Sequence, residues 1–249
     1  MRKVFSAHDS SLSKERTIMN QDSFVLHLIS KYGMTAHTDA VGTGALFEGP
    51  VACAVAMPEP FQNDEVDDSK RLEHKTIYRL APELKQKVVY AFGVVRSEEM
   101  QSIRNNMKAE LMAMTRAVLA LQKKIKIDAV FVDGKFTLPD TGIPSYAVIR
   151  GDQNVFGIAV ASILAKNDRD HFMIDTYGEE YSRYRIASNK GYRSPDHLMA
   201  IRKWGTVWPH HRAYLPQVQR VLKGEYDEVI FSKYRKRWET LCLEEEQCF

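Results

Sequence analysis

Apolar and polar positions alternate in short runs over the first half of the chain and at helical spacing over the second. Met34–Asp39 is a short, weakly apolar segment stopped by Gly42-Thr43-Gly44. Pro50–Met57 is small and apolar, and Lys87–Val95 is β-branched and aromatic. These runs predict three strands, the second and third paired antiparallel. Residues 58–75, rich in Pro, Asp and Lys, predict a surface loop. Met107, Leu111, Met114, Val118 and Leu121 then recur at steps of three or four, which predicts a helix with that stripe buried. Ala129–Asp133 and Tyr146–Arg150 predict two more strands, ended by Gly134 and Gly151. Phe156–Tyr177 predicts a second long helix, with Ala159, Ala161, Ser162 and Ala165 small enough to let it sit close on a sheet. Three strands followed by alternating helix and strand give an α/β fold, a mixed five-stranded sheet with helices on both faces. Residues 1–33, with one amphipathic stretch at Phe24–Ile29, are expected to be an N-terminal extension. Residues 34–180 form the core in this reading, and 181–249 a helical, basic and aromatic C-terminal segment and tail.

Composition narrows the class. The chain has 249 residues, 44% of them hydrophobic, enough for a real core and against global disorder. The longest uncharged stretch, Gln153 to Ala165, is far short of the roughly 20 residues a membrane helix needs. Three scattered cysteines, Cys53, Cys242 and Cys248, make neither a disulfide framework nor a zinc site. Met1-Arg2-Lys3-Val4 runs straight into polar residues without the pattern of a secretory signal. The expectation is a cytoplasmic protein with no membrane partner. A net charge of +3 permits a nucleic-acid partner without arguing for one.

Chemistry enters with the acids. Asp39 and Asp133 end predicted strands, each followed within a few residues by glycine. Sites in open α/β sheets gather outside the carboxyl ends of strands. A third acid, Asp170, lies within the last long helix, just after Lys166-Asn167-Asp168-Arg169. Acids from separate elements are what a magnesium site needs, because hard cations take oxygen ligands. Each one alone reads more readily as a turn former, because aspartate is common where strands end. Residues 181–220 carry eight basic residues against one acid, Asp196, interleaved with Tyr181, Tyr184, Tyr192, Trp204, Trp208 and Tyr214. Cations neutralise phosphates and aromatics stack on bases, although a solvated face over core aromatics reads the same way. His210-His211 beside Pro209 are metal ligands or hydrogen-bonded structure. The chain has no phosphate loop, no dinucleotide fingerprint, no Gly-x-Ser-x-Gly elbow and no cysteine in a reactive context.

In order along the chain, these residues resemble the type 2 ribonucleases H. Thr38-Asp39-Ala40-Val41-Gly42-Thr43-Gly44 is similar to the first active-site strand and its glycine loop, and Asp68-Ser69-Lys70-Arg71-Leu72 to an Asp-Ser-Lys loop. Val132-Asp133-Gly134 is similar to the second catalytic aspartate. Ser162-Ile163-Leu164-Ala165-Lys166 with Arg169-Asp170 resembles the helix bearing the last one. Asn189-Lys190-Gly191-Tyr192 and His211-Arg212 resemble a substrate-binding segment. The resemblance implies a ribonuclease H-like fold and two-metal-ion cleavage of the RNA strand of RNA–DNA hybrids. It implies two Mg2+ or Mn2+ ions on Asp39, Asp133 and Asp170. Substrate binding would fall to Gly42, Thr43, Gly44, Ser69, Lys70, Lys166, Lys190, Tyr192 and Arg212, with RNA–DNA hybrid or another nucleic acid as partner.

Two positions depart from the family. Its glutamate after the first aspartate is Ala40 here, and the arginine between its glycines is Thr43. Asn105 to Ala113 resembles the corresponding helix of the type 1 ribonucleases H, which carries the catalytic glutamate. Glu110, about 60° around the helix from Met107 and near the helix start, is therefore expected to supply the fourth carboxylate; Glu48 is a weaker substitute. Carboxylates about 4 Å apart repel by roughly 4 kcal/mol at an effective dielectric of 20, so the cluster needs cations. Losing the arginine predicts weak cleavage at single embedded ribonucleotides, since the 2′-OH is what distinguishes RNA. The other reading is a catalytically inactive domain that binds hybrid or RNA through the same groove.

Overall fold

The computed structural model describes residues 21–210 and 216–225. Helix α1 (Gln21–Ser30) leads into β1 (Thr35–Val41), followed by β2 (Val51–Ala56), α2 (His74–Lys85), β3 (Val89–Val94) and α3 (Ser97–Ile103). Next come α4 (Asn106–Gln122), β4 (Ala129–Asp133), β5 (Ser145–Val148), the short α5 (Gly151–Asn154) and the long α6 (Phe156–Tyr177). A 3-10 turn at Ser182–Tyr184 and helices α7 (Ile186–Asn189), α8 (Pro195–Trp204) and α9 (Pro216–Leu222) follow.

The five strands form one sheet in the order β3-β2-β1-β4-β5. β1, β2 and β3 pair antiparallel, whereas β4 runs parallel to both β1 and β5. The sheet is mixed, as the strand pattern predicted.

Helices cover both faces of that sheet. Cys53 and Val55 of β2 face Ile77, Leu80, Ala81 and Leu84 of α2 together with Val160, Ala161, Ile163, Leu164 and Ala165 of α6. The small residues of α6 do let it sit close. A Cβ on Gly157 would lie 2.5 Å from the His37 ring. On the other face, α4 presses on Gly93, where a Cβ would come within 2.1 Å of the Ala113 carbonyl oxygen and 2.5 Å of the Ala117 nitrogen. Ala40, Ala52 and Gly93 are cross-strand partners in register, so Ala40 points to the α4 side.

Three expectations change. The loop expected at 58–75 gives way at His74 to α2, whose buried residues Ile77, Leu80, Ala81 and Leu84 have i, i+3, i+4, i+7 spacing. Pro82 inside the helix hides that pattern, because proline ordinarily breaks a helix interior. The buried arc of α4 is Ala109, Ala113, Met114, Ala117, Val118 and Leu121, and Met107 is 42% exposed. Alanines win the contact because Gly93 allows only a flat helix surface against it. β5 stops at Val148, with Arg150 in the left-handed region at φ 55°.

The described chain divides into two compact units. One takes the chain up to Val41, Pro50–Val95 and Met107–Arg169, with the whole sheet. The other takes Gly42–Gly49, Arg96–Asn106 and the chain from Asp170 on. Its core holds Leu46, Phe47, Met173, Tyr184, Ile186, Ala200, Ile201, Val218 and Val221.

Candidate active site

Neighbouring parallel strands bring the first two acids together. Thr38 of β1 pairs with Val132 of β4, so Asp39 and Asp133 follow as the next residues of adjacent strands. β5 then delivers Asp152 through the turn after Val148. Asp39, Asp133 and Asp152 each offer a carboxylate oxygen within 4.8 Å of the others, the one such group of three among the described residues. Gly151 donates its N–H to Asp133 Oδ1 at 2.7 Å, and Asp152 donates to the same oxygen at 3.3 Å. These bonds fix the Asp133 carboxylate against the turn that carries Asp152.

The Asp68-Ser69-Lys70 loop packs onto this group. Lys70 Nζ donates to Asp152 Oδ2 at 2.7 Å and lies 3.8 Å from Asp68 Oδ1. Asp68 Oδ1 accepts the Lys70 backbone N–H at 2.9 Å, and Gln153 Nε2 donates to Asp68 Oδ2 at 3.2 Å. Ser69 Oγ and Ser162 Oγ share a hydrogen bond of 2.8 Å. Ser162 also hydrogen-bonds Asp39, whose own Oδ1 accepts the Ala40 N–H at 2.7 Å.

Crowding shows in the proton affinities. Burial, then the Asp133 charge, pushes Asp39 up to about 8 against the pull of Ser162, the Ala40 N–H and Lys70. Asp133 is also raised, by burial and the Asp152 charge. Glu110 is pushed up to about 7 by burial and by Asp133, with Lys70 pulling it down. Glu110 therefore lies within electrostatic reach of both Asp133 and Lys70. A group that resists its own ionisation and offers only oxygen donors fits a hard divalent cation.

A ribonuclease HII family model matches residues 36–219. The chain is 39% identical over 178 residues to ribonuclease HII of Parabacteroides distasonis, covering 71% of this chain and 87% of that protein. It belongs to the ribonuclease HII family. Ribonuclease HII of Caldanaerobacter subterraneus is 35% identical over 193 residues, 76% of each chain. Among solved structures, ribonuclease H2 from Pyrococcus horikoshii OT3 superposes with a TM-score of 0.61 over 77% of this chain and 98% of that one, at 20% identity. Bst-RNase HIII in complex with Mn2+ gives 0.60 over 76% and 69%, at 18% identity. At these identities the two structures speak for the fold.

Of the acids expected at the site, Asp39 and Asp133 come together and Asp170 does not join them. The acid that completes the group is Asp152. Asp170 is fully buried and lies eight residues past Ser162 on α6, a rise of roughly 12 Å along the helix. A signal for Asp152 was present, in that it follows Gly151 just past the end of a predicted strand, with the order of acid and glycine reversed from Asp39 and Asp133. Glu110 is the fifth residue of α4, beyond the first turn where the helix dipole favours an anion. Its direction is better placed than expected, because at 100° per residue it falls in the middle of the Ala109-to-Val118 buried arc. Glu48 is held elsewhere, in the second unit. It accepts from the Ser97 N–H at 3.2 Å, from the Ser97 hydroxyl and from the Tyr177 hydroxyl at 3.3 Å.

The second unit brings the glycine loop to the Lys190-Gly191-Tyr192 segment. Ala45 bridges Tyr192, and the Leu46 N–H donates to the Gly191 carbonyl at 2.8 Å. Gly42, at φ 88°, needs its glycine, while Gly44 is exposed with open space where a Cβ would be. Thr43 and Tyr192 are half-buried. Lys190 is mostly buried, with Nζ donating to the Ser188 carbonyl. Lys166 is half-buried on α6. Arg212 lies outside the described residues, as do Tyr214 and the tail from 226 on. Of the aromatics in 181–220, Tyr181, Tyr184 and Trp204 pack into the second core, and Trp208 is 51% exposed. His210 is structural: its Nε2 is 3.0 Å from His197 Nε2, and its ring stacks edge-on against Phe47.

Proposed function

We propose that this chain is a metal-dependent endoribonuclease of the cytoplasm that cleaves the RNA strand of RNA–DNA hybrids. The observation that carries the reading is the Asp39–Asp133–Asp152 group at the carboxyl ends of β1, β4 and β5, in a chain of the ribonuclease HII family. Asp39, Asp133, Asp152 and Glu110 would hold two divalent ions, Mg2+ or Mn2+; the similar Bst-RNase HIII is in complex with Mn2+. Bound ions of this kind supply an activated water and charge neutralisation at the leaving 3′ oxygen. Four carboxylates also match the charge of two divalent ions.

Glu110 takes the role left open by Ala40. Residue 40 faces the α4 layer, and Glu110 rises from that layer with Asp133 in electrostatic reach. The chain's own groups then divide the work. The N–H groups of Gly151 and Asp152 hold the Asp133 carboxylate in place. Ser162 and the Ala40 N–H orient Asp39, and Ser69 ties the Lys70 loop to the same helix. Gly42, Thr43, Gly44, Lys190 and Tyr192 would contact the nucleic acid, together with Ser69, Lys70, Lys166 and Arg212.

The test is cleavage of a labelled hybrid in Mg2+ and in Mn2+. Asp133→Asn and Asp152→Asn should fall to background, Glu110→Gln should lose at least the roughly tenfold that an outer partner of a metal ligand costs, and folded Asp170→Asn should keep activity. Wild-type turnover by Asp152→Asn would sink the assignment. A wild-type protein that binds hybrid in either metal without cutting it would make the chain a binding protein.

A further inference from the structure

Lys70 is a side-chain cation seated on the carboxylate group, in direct contact with one of the three acids. Its Nζ is 2.7 Å from Asp152 Oδ2, and the next acceptor, Asp68 Oδ1, is 3.8 Å away. The two partners differ in freedom. The Lys70 side chain is 73% exposed, and that of Asp152 is 4% exposed. The loop beneath the lysine is fixed at three points: the Asp68 carboxylate on the Lys70 N–H, Gln153 on Asp68, and Ser69 on Ser162. A new partner for Asp152 would require only the long, exposed lysine stem to move, the loop backbone being held at those three points. Asp68, itself buried, is close enough to receive it.

We propose that Lys70 is a built-in counter-cation of the site, which a divalent ion displaces from Asp152 as it binds. The exchange rests on the reading of Asp39, Asp133 and Asp152 as a metal centre. It has two consequences. Without metal, the ammonium neutralises one of three crowded carboxylates and stabilises the fold. With metal, the same ammonium is released toward Asp68 or toward a substrate phosphate, so filling the site and gaining a phosphate contact become one event. Metal binding and hybrid binding should then be coupled through this side chain.

The experiment is calorimetric titration of Mn2+ into the full-length protein without nucleic acid, using wild type, Lys70→Met and Lys70→Arg. Lys70→Met removes the competing charge and should bind Mn2+ about two- to fivefold tighter, the scale of one half-exposed charge pair. Its metal-free melting temperature should fall below that of wild type, and the gap should close when Mn2+ is present. Lys70→Arg keeps the charge and should track wild type in both measurements. Unchanged or weaker Mn2+ binding in Lys70→Met would overturn the exchange, as would equal tightening in Lys70→Arg. If wild-type protein binds no Mn2+ at all, the metal-centre reading itself fails and the exchange fails with it. Cleavage activity is not needed for any of these outcomes.

Discussion

At the scale of single residues, the site stores like charge in a small volume. Asp39 is held near 8 in the metal-free protein, chiefly by burial and then by Asp133, while an unfolded aspartate titrates near 4. Between those values the folded chain carries a proton that the unfolded chain has lost. Stability therefore falls as pH rises through that window, being fully present below it. Glu110, at about 7, acts in the same direction. Melting curves in chelator should show the wild-type midpoint dropping from pH about 5 to about 8, with a flatter profile for Asp39→Asn. Parallel profiles would mean that Asp39 is not the source. Divalent ions reverse the trend, because they require the ionised forms.

Elements decide where these residues end up. Glu110 is carried by α4, and α4 is seated by Gly93 at distances no side chain tolerates. Gly93→Ala must push the helix off the sheet, and overpacking of this kind costs about 1–3 kcal/mol. Since Glu110 moves with the helix, hybrid cleavage by folded Gly93→Ala should fall further than its stability loss accounts for. Leu80→Ala is the comparison. It empties space under α2, should cost about 2–5 kcal/mol, and should leave turnover of the folded protein unchanged. If both variants lose activity in step with stability, the seating of α4 is not what positions the glutamate. Helix α2 was itself hidden by one residue, Pro82, although its buried spacing was regular.

For the molecule as a whole, substrate choice is expected to follow from the loop that carries Thr43. That loop is bridged to the Tyr192 segment within the second unit, so the two segments proposed to read the nucleic acid move together. Threonine supplies no cation there. Duplexes with one embedded ribonucleotide should be cut more slowly than continuous hybrids, and Thr43→Arg should narrow the ratio. Equal wild-type rates on the two substrates would remove Thr43 from the account. No helix among the described residues is long and apolar enough to cross a membrane.

Much of this was legible in the order of residues. Strand and helix periodicity gave the five-stranded mixed sheet, and the motif order gave the family, because both are local signals repeated along the chain. Asp39 and Asp133 could be named because each closes a predicted strand with a glycine following within a few residues. Tertiary structure decided the rest. Asp152 lies beside Asp39 and Asp133 because closeness there depends on where β5 stops and turns, and a helix rise of roughly 12 Å separates Asp170 from the Ser162 level. The buried side of α4 was set by Gly93, a residue on another element. The pairing of Lys70 with Asp152 joins positions 82 apart in sequence. Periodicity within a segment records which face is apolar; which partner meets that face is settled only when separate segments pack together.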